Sequence, residues 1–267
     1  LESAEISLRR LRTDSIDLFL LHSWDPVAPL DEMLEALDTL IRQGKARAVG
    51  CSNVAAWQLC KALWRQDVGG WSHMEAVQEN YNLVVRDIER ELLPLCADQQ
   101  VGVITYSPLG GGFLTGKYAR DGAAPAGTRF DVVPGMQPIY LHEAGFRILA
   151  GLEGKAAALG TTAPLLALAW AMTHPDIASV LIGARSPEQA DQALAAAAHR
   201  GHGGSPFAEL GEVCWRKLRR SSAALCVASA PSLTKRTSKT SFRMCGISGP
   251  ERSRGETSPR IRPLPPP

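Results

Sequence analysis

Short apolar segments alternate with longer amphipathic segments through the first two hundred residues, and this alternation limits the possible folds more than any other feature. The apolar segments are almost uninterrupted, which is typical of parallel strands buried on both faces. Strands that alternate with helices form parallel sheets with right-handed crossovers. The sequence predicts five strands, at residues 16–21, 46–51, 74–78, 101–106 and 177–182.

The segments between these strands carry helical periodicity. In residues 31–43, for example, apolar side chains recur every three or four positions, and Gly44 follows as a natural stop. A long segment rich in glycine and proline, from residue 107 to about 140, is predicted as a loop. Further helices are predicted to end at about residue 11 and to span residues 55–64, 87–99, 143–159, 163–173 and 186–198.

Polar residues directly after the strands favour part of an eight-fold barrel over an open doubly wound sheet. No GxGxxG motif follows the first strand, so a Rossmann dinucleotide site is unsupported. In a β/α barrel the active site lies on the loops at the carboxyl ends of the strands. Polar side chains occupy those positions here, namely His22, Ser52, Asn53, Gln78, Ser107 and Arg185.

Composition divides the 267 residues into two regions, 1–199 and 200–267. The second contains 13 Lys and Arg against four acidic residues and eight of the 18 prolines, whereas the first contains 16 against 23. Because little hydrophobic periodicity continues after about Leu225, we expect disorder in 200–267. The basic charge would suit nucleic acid, but no aromatic platform accompanies it. An extension that has not been under selection is a third interpretation.

Neither the cysteines nor the hydropathy pattern indicates export. None of the six cysteines forms a CxxC pair, and their spacing matches neither a zinc site nor a disulfide scaffold. The first residues lack the basic and apolar regions of a signal peptide, and no apolar run approaches the roughly 20 residues of a membrane helix. We therefore expect a cytoplasmic protein with reduced thiols.

Six motifs in register resemble the aldo-keto reductases, and in particular the branch that includes potassium-channel β-subunits and related bacterial reductases. They are LLHSWDP at 20–26, GKARAVGCSN at 44–53, QENYNL at 78–83, YSPLGGGFLTGKY at 106–118, LAW at 168–170 and IGARSPEQ at 182–189. The resemblance implies a (β/α)8 barrel that uses NADPH to reduce the carbonyl of a small aldehyde or ketone to an alcohol. Residues 1–199 would then supply five of the eight βα units.

The resemblance makes His22 a catalytic candidate that orients the substrate carbonyl. A neutral imidazole can donate a hydrogen bond to a carbonyl oxygen, and histidine titrates near neutral pH. A histidine that merely ends a strand is the structural alternative. A metal site at His22 and Asp25 lacks a second clear histidine ligand.

Four further residues match the nicotinamide-binding positions of the family. Ser52, Asn53 and Gln78 would clamp the carboxamide, which needs both donors and acceptors. Tyr106 would stack on the nicotinamide ring. The structural alternatives are that Asn53 caps the helix beginning near Ala55, and that Tyr106 is a buried rim tyrosine.

The segment 107–117 resembles the strap that covers the cofactor pyrophosphate. Glycines permit close backbone approach, and exposed amides suit phosphate oxygens. A P-loop is rejected, because Tyr118 stands where that motif requires Ser or Thr. The cofactor-binding candidates in this segment are Ser107, Pro108, Leu109, Gly111 and Lys117.

After the last strand, Gly183, Arg185 and Gln189 match the segment that holds the adenosine 2′-phosphate in the family. A guanidinium suits a phosphate dianion through two parallel hydrogen bonds, which favours NADP(H) over NAD(H). The family pattern usually has Asn at the place of Ala193, where it helps to hold adenine, so the chain departs from the pattern there.

The family's catalytic Asp, Tyr and Lys belong to three strands that would precede residue 1. No Tyr precedes Tyr81 and no Lys precedes Lys45. The sequence therefore predicts an N-terminally truncated NADPH-dependent reductase that is inactive as written. The alternative is a non-catalytic NADP(H)-binding or regulatory module.

Overall fold

The computed structural model describes residues 1–198, and its centre is a five-stranded parallel sheet. The strands pair in the order of the sequence, without the reversal that marks a doubly wound sheet. The predicted α/β fold is confirmed, and the sheet is consistent with part of a (β/α)8 barrel. The strands are β1 (Ile16–Leu21), β2 (Ala46–Ser52), β3 (Met74–Asn80), β4 (Gly102–Tyr106) and β5 (Ser179–Val180). The predicted region 200–267 lies outside the described residues.

Most helices within residues 1–198 lie near their predicted positions with different bounds, and two short ones lie in the segment 107–140 that is predicted as a loop. Within residues 1–198, no helix combines the length and the apolar character needed to cross a membrane. The helices are α1 (Glu2–Leu11), α2 (Leu30–Arg42), α3 (Ala56–Gly69), α4 (Leu92–Gln99), α5 (Arg129–Val132), α6 (Gln137–Tyr140), α7 (Glu143–Ala158), α8 (Ala163–Ala171) and α9 (Pro187–Ala198).

The prediction of one helix over 87–99 is wrong. A 3-10 turn, Asp87–Glu89, is followed by a break, and α4 begins only at Leu92. Pro94 explains the break, because it lacks the N–H that an interior helical position would donate and is tolerated only in a first turn. The predicted strand 177–182 is also too long. Its pairing with β4 nevertheless extends one residue beyond each end of β5, through hydrogen bonds from the amides of Ala178 and Leu181.

The main core lies between the sheet and the helices packed against it. Phe19, Val49 and Val77 point to this side and are completely buried. Burying a side chain of this size contributes about 1.5–3 kcal/mol. On the other face of the sheet, Gly50 is required by close packing, since a Cβ there would lie 2.1 Å from the carbonyl oxygen of Ala76.

The prediction that residues 107–140 form a loop is correct only in part. The segment contains a 3-10 turn at Gly110–Thr115 as well as α5 and α6, and it builds a second core. The Tyr118 and Phe130 rings stack at 4.1 Å between centroids, and Phe130 continues to Tyr140 at 5.7 Å. Aromatic packing orders a segment whose glycine and proline content predicts irregular backbone.

Candidate functional site

The carboxyl ends of β2, β3 and β4 bring polar residues from three strands to one edge of the sheet. Ser52 pairs with Gln78 in the ladder, and its hydroxyl donates to the Gln78 carbonyl oxygen at 2.7 Å. Two residues further along β3, Asn80 pairs with Tyr106. We call His22, Ser52, Asn53, Gln78 and Tyr106 the carboxyl-edge site.

Asn53 is the centre of this site. Its Nδ2 donates to the His22 carbonyl oxygen at 2.8 Å and to the Ser52 hydroxyl at 3.1 Å, and its Oδ1 accepts from the Tyr106 hydroxyl at 2.6 Å. Its φ is +56°, a left-handed conformation that asparagine tolerates better than most residues. The interpretation of Asn53 as a helix cap is wrong, because α3 is capped at Ala55, whose amide donates to Gln58.

Gln78 carries a buried polar group that no residue of the described chain satisfies. The residue is 2% exposed, and its Nε2 is buried without a hydrogen-bond partner. A buried donor left unpaired costs about 1–3 kcal/mol. An acceptor such as a carboxamide oxygen has the chemistry to pair with this donor.

Tyr106 is half-buried beside Asn53, so its ring is fixed in place while part of it remains accessible. Burial raises the pKa of its hydroxyl to about 12, with a smaller contribution from the negative charge of Glu79. Two other tyrosines near this edge, Tyr81 and Tyr140, also have raised pKa values, chiefly through burial. None of these three hydroxyls has the lowered pKa of an effective proton donor.

His22 is exposed directly after β1, and its backbone carbonyl is tied to Asn53. Its ring therefore extends from a fixed backbone at the rim. Within residues 1–198, no group of three or more His, Cys, Asp and Glu residues could hold a metal ion. Cys51, Cys60 and Cys96 are free thiols, whereas the remaining cysteines lie outside the described part of the chain.

In segment 107–117, packing within the protein accounts for most of the features predicted to serve a phosphate. Gly110 and Gly111 have positive φ, and added Cβ atoms would lie 2.8 Å from the Tyr140 ring and 3.0 Å from the Phe130 ring. Pro108 is buried and Leu109 packs against both α8 and the second core. Lys117 is exposed, with its Nζ 5.3 Å from the Tyr118 ring centroid. Of the predicted group, Lys117 is the side chain best placed to meet an anion.

Gly183, Arg185 and Gln189 lie together at the exposed start of α9, and no hydrogen bond joins them to the carboxyl-edge site in the described structure. The Gln189 side chain accepts from the Arg185 amide at 2.8 Å, and the Arg185 guanidinium donates to the Gly127 carbonyl at 2.9 Å. Arg185 thereby connects α9 to the 107–140 segment. Ala193 is 3% exposed and packs between α8 and α9.

Sequence reasoning missed a buried network next to Tyr106. The Tyr140 hydroxyl accepts from the Asn80 and Asn82 amides at 3.0 and 3.3 Å, and Asn82 also donates to the Ser107 carbonyl at 3.0 Å. This network fixes Ser107, whose φ is also +56°. The available signal was the pair of asparagines two and four residues after Gln78, which were interpreted only as part of a motif.

Glu79 was missed as well. Its side chain is 8% exposed, and its carboxylate accepts from the Val54 amide at 2.8 Å. Burial raises its pKa to about 7, although backbone hydrogen bonds from Val54 and Asn53 act in the opposite direction. An acidic residue inside a buried strand was the available signal.

Comparisons with known proteins agree with this architecture. The model of the aldo/keto reductase family matches residues 1–201. The chain is 36% identical over 185 residues to the oxidoreductase YrpG of Bacillus subtilis and 35% identical over 202 residues to the NADH-specific methylglyoxal reductase of Escherichia coli. It is 33% identical over 198 residues to a probable voltage-gated potassium channel subunit beta of Arabidopsis thaliana.

These alignments cover 69%, 73% and 73% of this chain, but only 54%, 58% and 60% of the respective relatives. The chain thus spans between half and two thirds of the length of the curated relatives it matches.

Proposed function

The chain belongs to the aldo/keto reductase family, and we propose that its carboxyl-edge site holds the nicotinamide end of NADP(H) for the reduction of a carbonyl to an alcohol. The unpaired Gln78 Nε2 is the observation that carries this proposal. A carboxamide oxygen would accept from it, and the carboxamide nitrogen would find acceptors at the Ser52 hydroxyl and the Asn53 side chain. The bound cofactor would supply the hydride.

The chain's own residues would then position the reactants. The Tyr106 ring, held through its hydroxyl by Asn53, offers a flat surface against which one face of the nicotinamide would pack. The His22 imidazole, exposed at the same rim, would donate to the oxygen of an aldehyde or ketone substrate.

For the adenosine end we propose the start of α9, with Arg185 as the residue that recognises a 2′-phosphate. Its NH1 donates to Gly127, and the remaining guanidinium donors can meet phosphate oxygens. The E. coli relative is named as NADH-specific, so the choice between the two cofactors is tested directly through this arginine.

A non-catalytic NADP(H)-binding module is the second candidate, and the tyrosines favour it for residues 1–267. Hydride transfer to a carbonyl requires a proton for the oxygen. Tyr106 and Tyr140, whose hydroxyls bond to residues at this edge, both hold their protons more tightly than free tyrosine does, since burial raises their pKa values. We therefore propose that residues 1–267 bind the cofactor without rapid turnover.

The test is a fluorescence titration of the full 267-residue chain with NADPH. Wild-type protein should bind, and Asn53→Ala should bind about tenfold more weakly, since it removes three hydrogen bonds that organise the site. Gln43→Ala, an exposed amide at the opposite edge of the sheet, is the matched control and should bind normally. Absence of binding by wild-type protein overturns the proposal.

The same samples decide between the two candidates. With 4-nitrobenzaldehyde and NADPH, a binding module gives no measurable NADPH oxidation. Robust turnover that is lost in His22→Ala would show that residues 1–267 contain a proton donor and act as a reductase.

A further inference from the structure

Glu79 approaches the carboxyl-edge site from the opposite side of the sheet. Along β3 it alternates with Gln78, so it shares the helix-facing side with Val77 and Tyr81, both of which are completely buried in the main core. From there its carboxylate reaches the backbone of the turn between β2 and α3, where it accepts from the Val54 amide at 2.8 Å.

That turn carries Asn53, the residue that connects three members of the site. Because a left-handed φ is less favourable than the ordinary helical or extended conformations even for asparagine, hydrogen bonds must hold the turn in place. The Asn53 amide donates to the Gln78 carbonyl at 3.2 Å, and the next amide along the chain donates to Glu79. Gln78 through its backbone carbonyl and Glu79 through its carboxylate, adjacent in sequence, thus both hold the turn.

We propose that Glu79 is a positioning residue whose carboxylate holds the Asn53 turn in its binding geometry, so that its ionisation controls the affinity for the cofactor. This inference rests on the proposed function. Hydrogen bonds to a charged acceptor are roughly twice as strong as those to a neutral one. A neutral Glu79 therefore holds the turn less firmly, and Asn53 loses its alignment with His22 and Tyr106.

The groups that face Glu79 do not themselves titrate near neutral pH. The pKa of Cys51 on β2 is strongly raised, chiefly by burial. The pKa values of Cys96 on α4 and Tyr106 on β4 are each raised to about 12 by burial, with a further contribution from Glu79. The Thr105 hydroxyl lies across from Glu79 in the ladder, is buried without a partner and carries no charge. Glu79 itself, with a pKa of about 7, is the carboxyl group in this cluster that changes charge between pH 6 and 8.

The binding experiment measures the dissociation constant of NADPH from pH 6 to pH 8 for the full-length chain. In wild-type protein we expect binding to be about 3- to 10-fold weaker at pH 6 than at pH 8. The isosteric variant Glu79→Gln should not show the part of this change that comes from Glu79, and it should bind NADPH weakly at every pH from 6 to 8. Glu75→Gln, an exposed carboxylate on the same strand, should behave as wild type. The 2′-phosphate of NADPH also titrates in this range, with a second pKa of about 6. Because every variant is measured with the same ligand, that contribution is equal in all of them and drops out of the comparison.

Histidine side chains also change charge in this range, so the titration is repeated in His22→Gln. If the pH dependence disappears in His22→Gln and persists in Glu79→Gln, the inference is overturned.

A second measurement needs no cofactor. The side-chain amide signals of Asn53, followed by NMR, should shift with a midpoint near pH 7 in wild-type protein and remain constant in Glu79→Gln. Signals that do not respond to pH in wild-type protein overturn the positioning role even if cofactor binds. Conversely, a protein that shows the titration but binds no cofactor refutes the proposed function and leaves the positioning role standing.

Discussion

Replacing Gln78 with methionine should stabilise the free protein while it weakens cofactor binding. Methionine has a similar length and no polar group, so the unpaired Nε2 disappears without leaving a large cavity. Most substitutions of buried residues destabilise a protein, so an increase in stability here would be a specific result.

The expected gain in stability follows from the unpaired Nε2 of Gln78. A buried donor without a partner costs about 1–3 kcal/mol, and imperfect packing of the thioether reduces the gain. We expect the free energy of unfolding to rise by about 1 kcal/mol, which corresponds to an increase in melting temperature of roughly 2–4 °C for a domain of this size. Affinity for NADPH should fall about tenfold or more with the loss of one hydrogen bond to the carboxamide.

Gln66 provides a matched control for the same substitution. It is also completely buried, but its Nε2 donates to the Ser72 carbonyl at 2.5 Å and its Oε1 accepts from the Met74 amide at 3.2 Å. Gln66→Met should therefore lower the free energy of unfolding by about 2–3 kcal/mol. Thermal and urea unfolding, with and without NADPH, measure both variants. Equal destabilisation by the two substitutions would refute the reasoning that the Gln78 Nε2 has no partner in the free protein.

Other perturbations test separate parts of the structure. Arg185→Ala should weaken NADPH more than NADH in parallel titrations, and an equal loss for both would exclude recognition of the 2′-phosphate. Tyr140→Phe removes the hydroxyl shared by two buried amides and should lower stability by about 1–2 kcal/mol in urea unfolding, whereas an unchanged midpoint would show that the network is dispensable. Because the folded-state pKa of Glu79 is raised from 4.5 to about 7, its contribution to stability is lost as the pH rises through that interval. The stability of Glu79→Gln relative to wild type should therefore increase from pH 5 to pH 8 by up to about 3 kcal/mol, and a difference independent of pH would contradict the raised pKa.

The sequence was sufficient to predict the strands and the edge at which polar residues meet. Buried parallel strands appear in a sequence as apolar runs, and parallel pairing brings all their carboxyl ends to one edge of the sheet. His22, Ser52, Asn53 and Gln78 therefore follow from strand ends alone, before any contact is known, whereas Tyr106 was identified only through the resemblance. The assignment of each residue to a part of the cofactor depended on the resemblance and remains a prediction.

The remaining features depend on contacts between residues distant in the sequence. The second core brings together Tyr118, Phe130 and Tyr140, which span 22 residues of irregular composition. No local periodicity in the sequence predicts that these rings stack. The left-handed backbone of Asn53 is set by Gln78 and Glu79 on another strand. Pro94 is a different case, because its effect on the helix is local and could have been predicted from the sequence.

Physical cost, independently of any family comparison, also favours the carboxyl edge as the location of the proposed site. Within residues 1–198, four residues other than glycine have positive φ. Two of them, Arg12 and Gln100, are the ordinary C-terminal caps of α1 and α4, whereas Asn53 and Ser107 follow β2 and β4 at the carboxyl edge.

The unpaired Gln78 Nε2 and the buried Glu79 carboxyl occupy the same edge. Each of these four features costs on the order of 1–3 kcal/mol, a considerable amount against the marginal stability of a domain. A ligand that bonds to Gln78 and rigidifies the Asn53 turn would recover part of that cost on binding. Saturating cofactor should therefore stabilise the wild-type protein by more than replacing these residues with apolar ones stabilises the free protein.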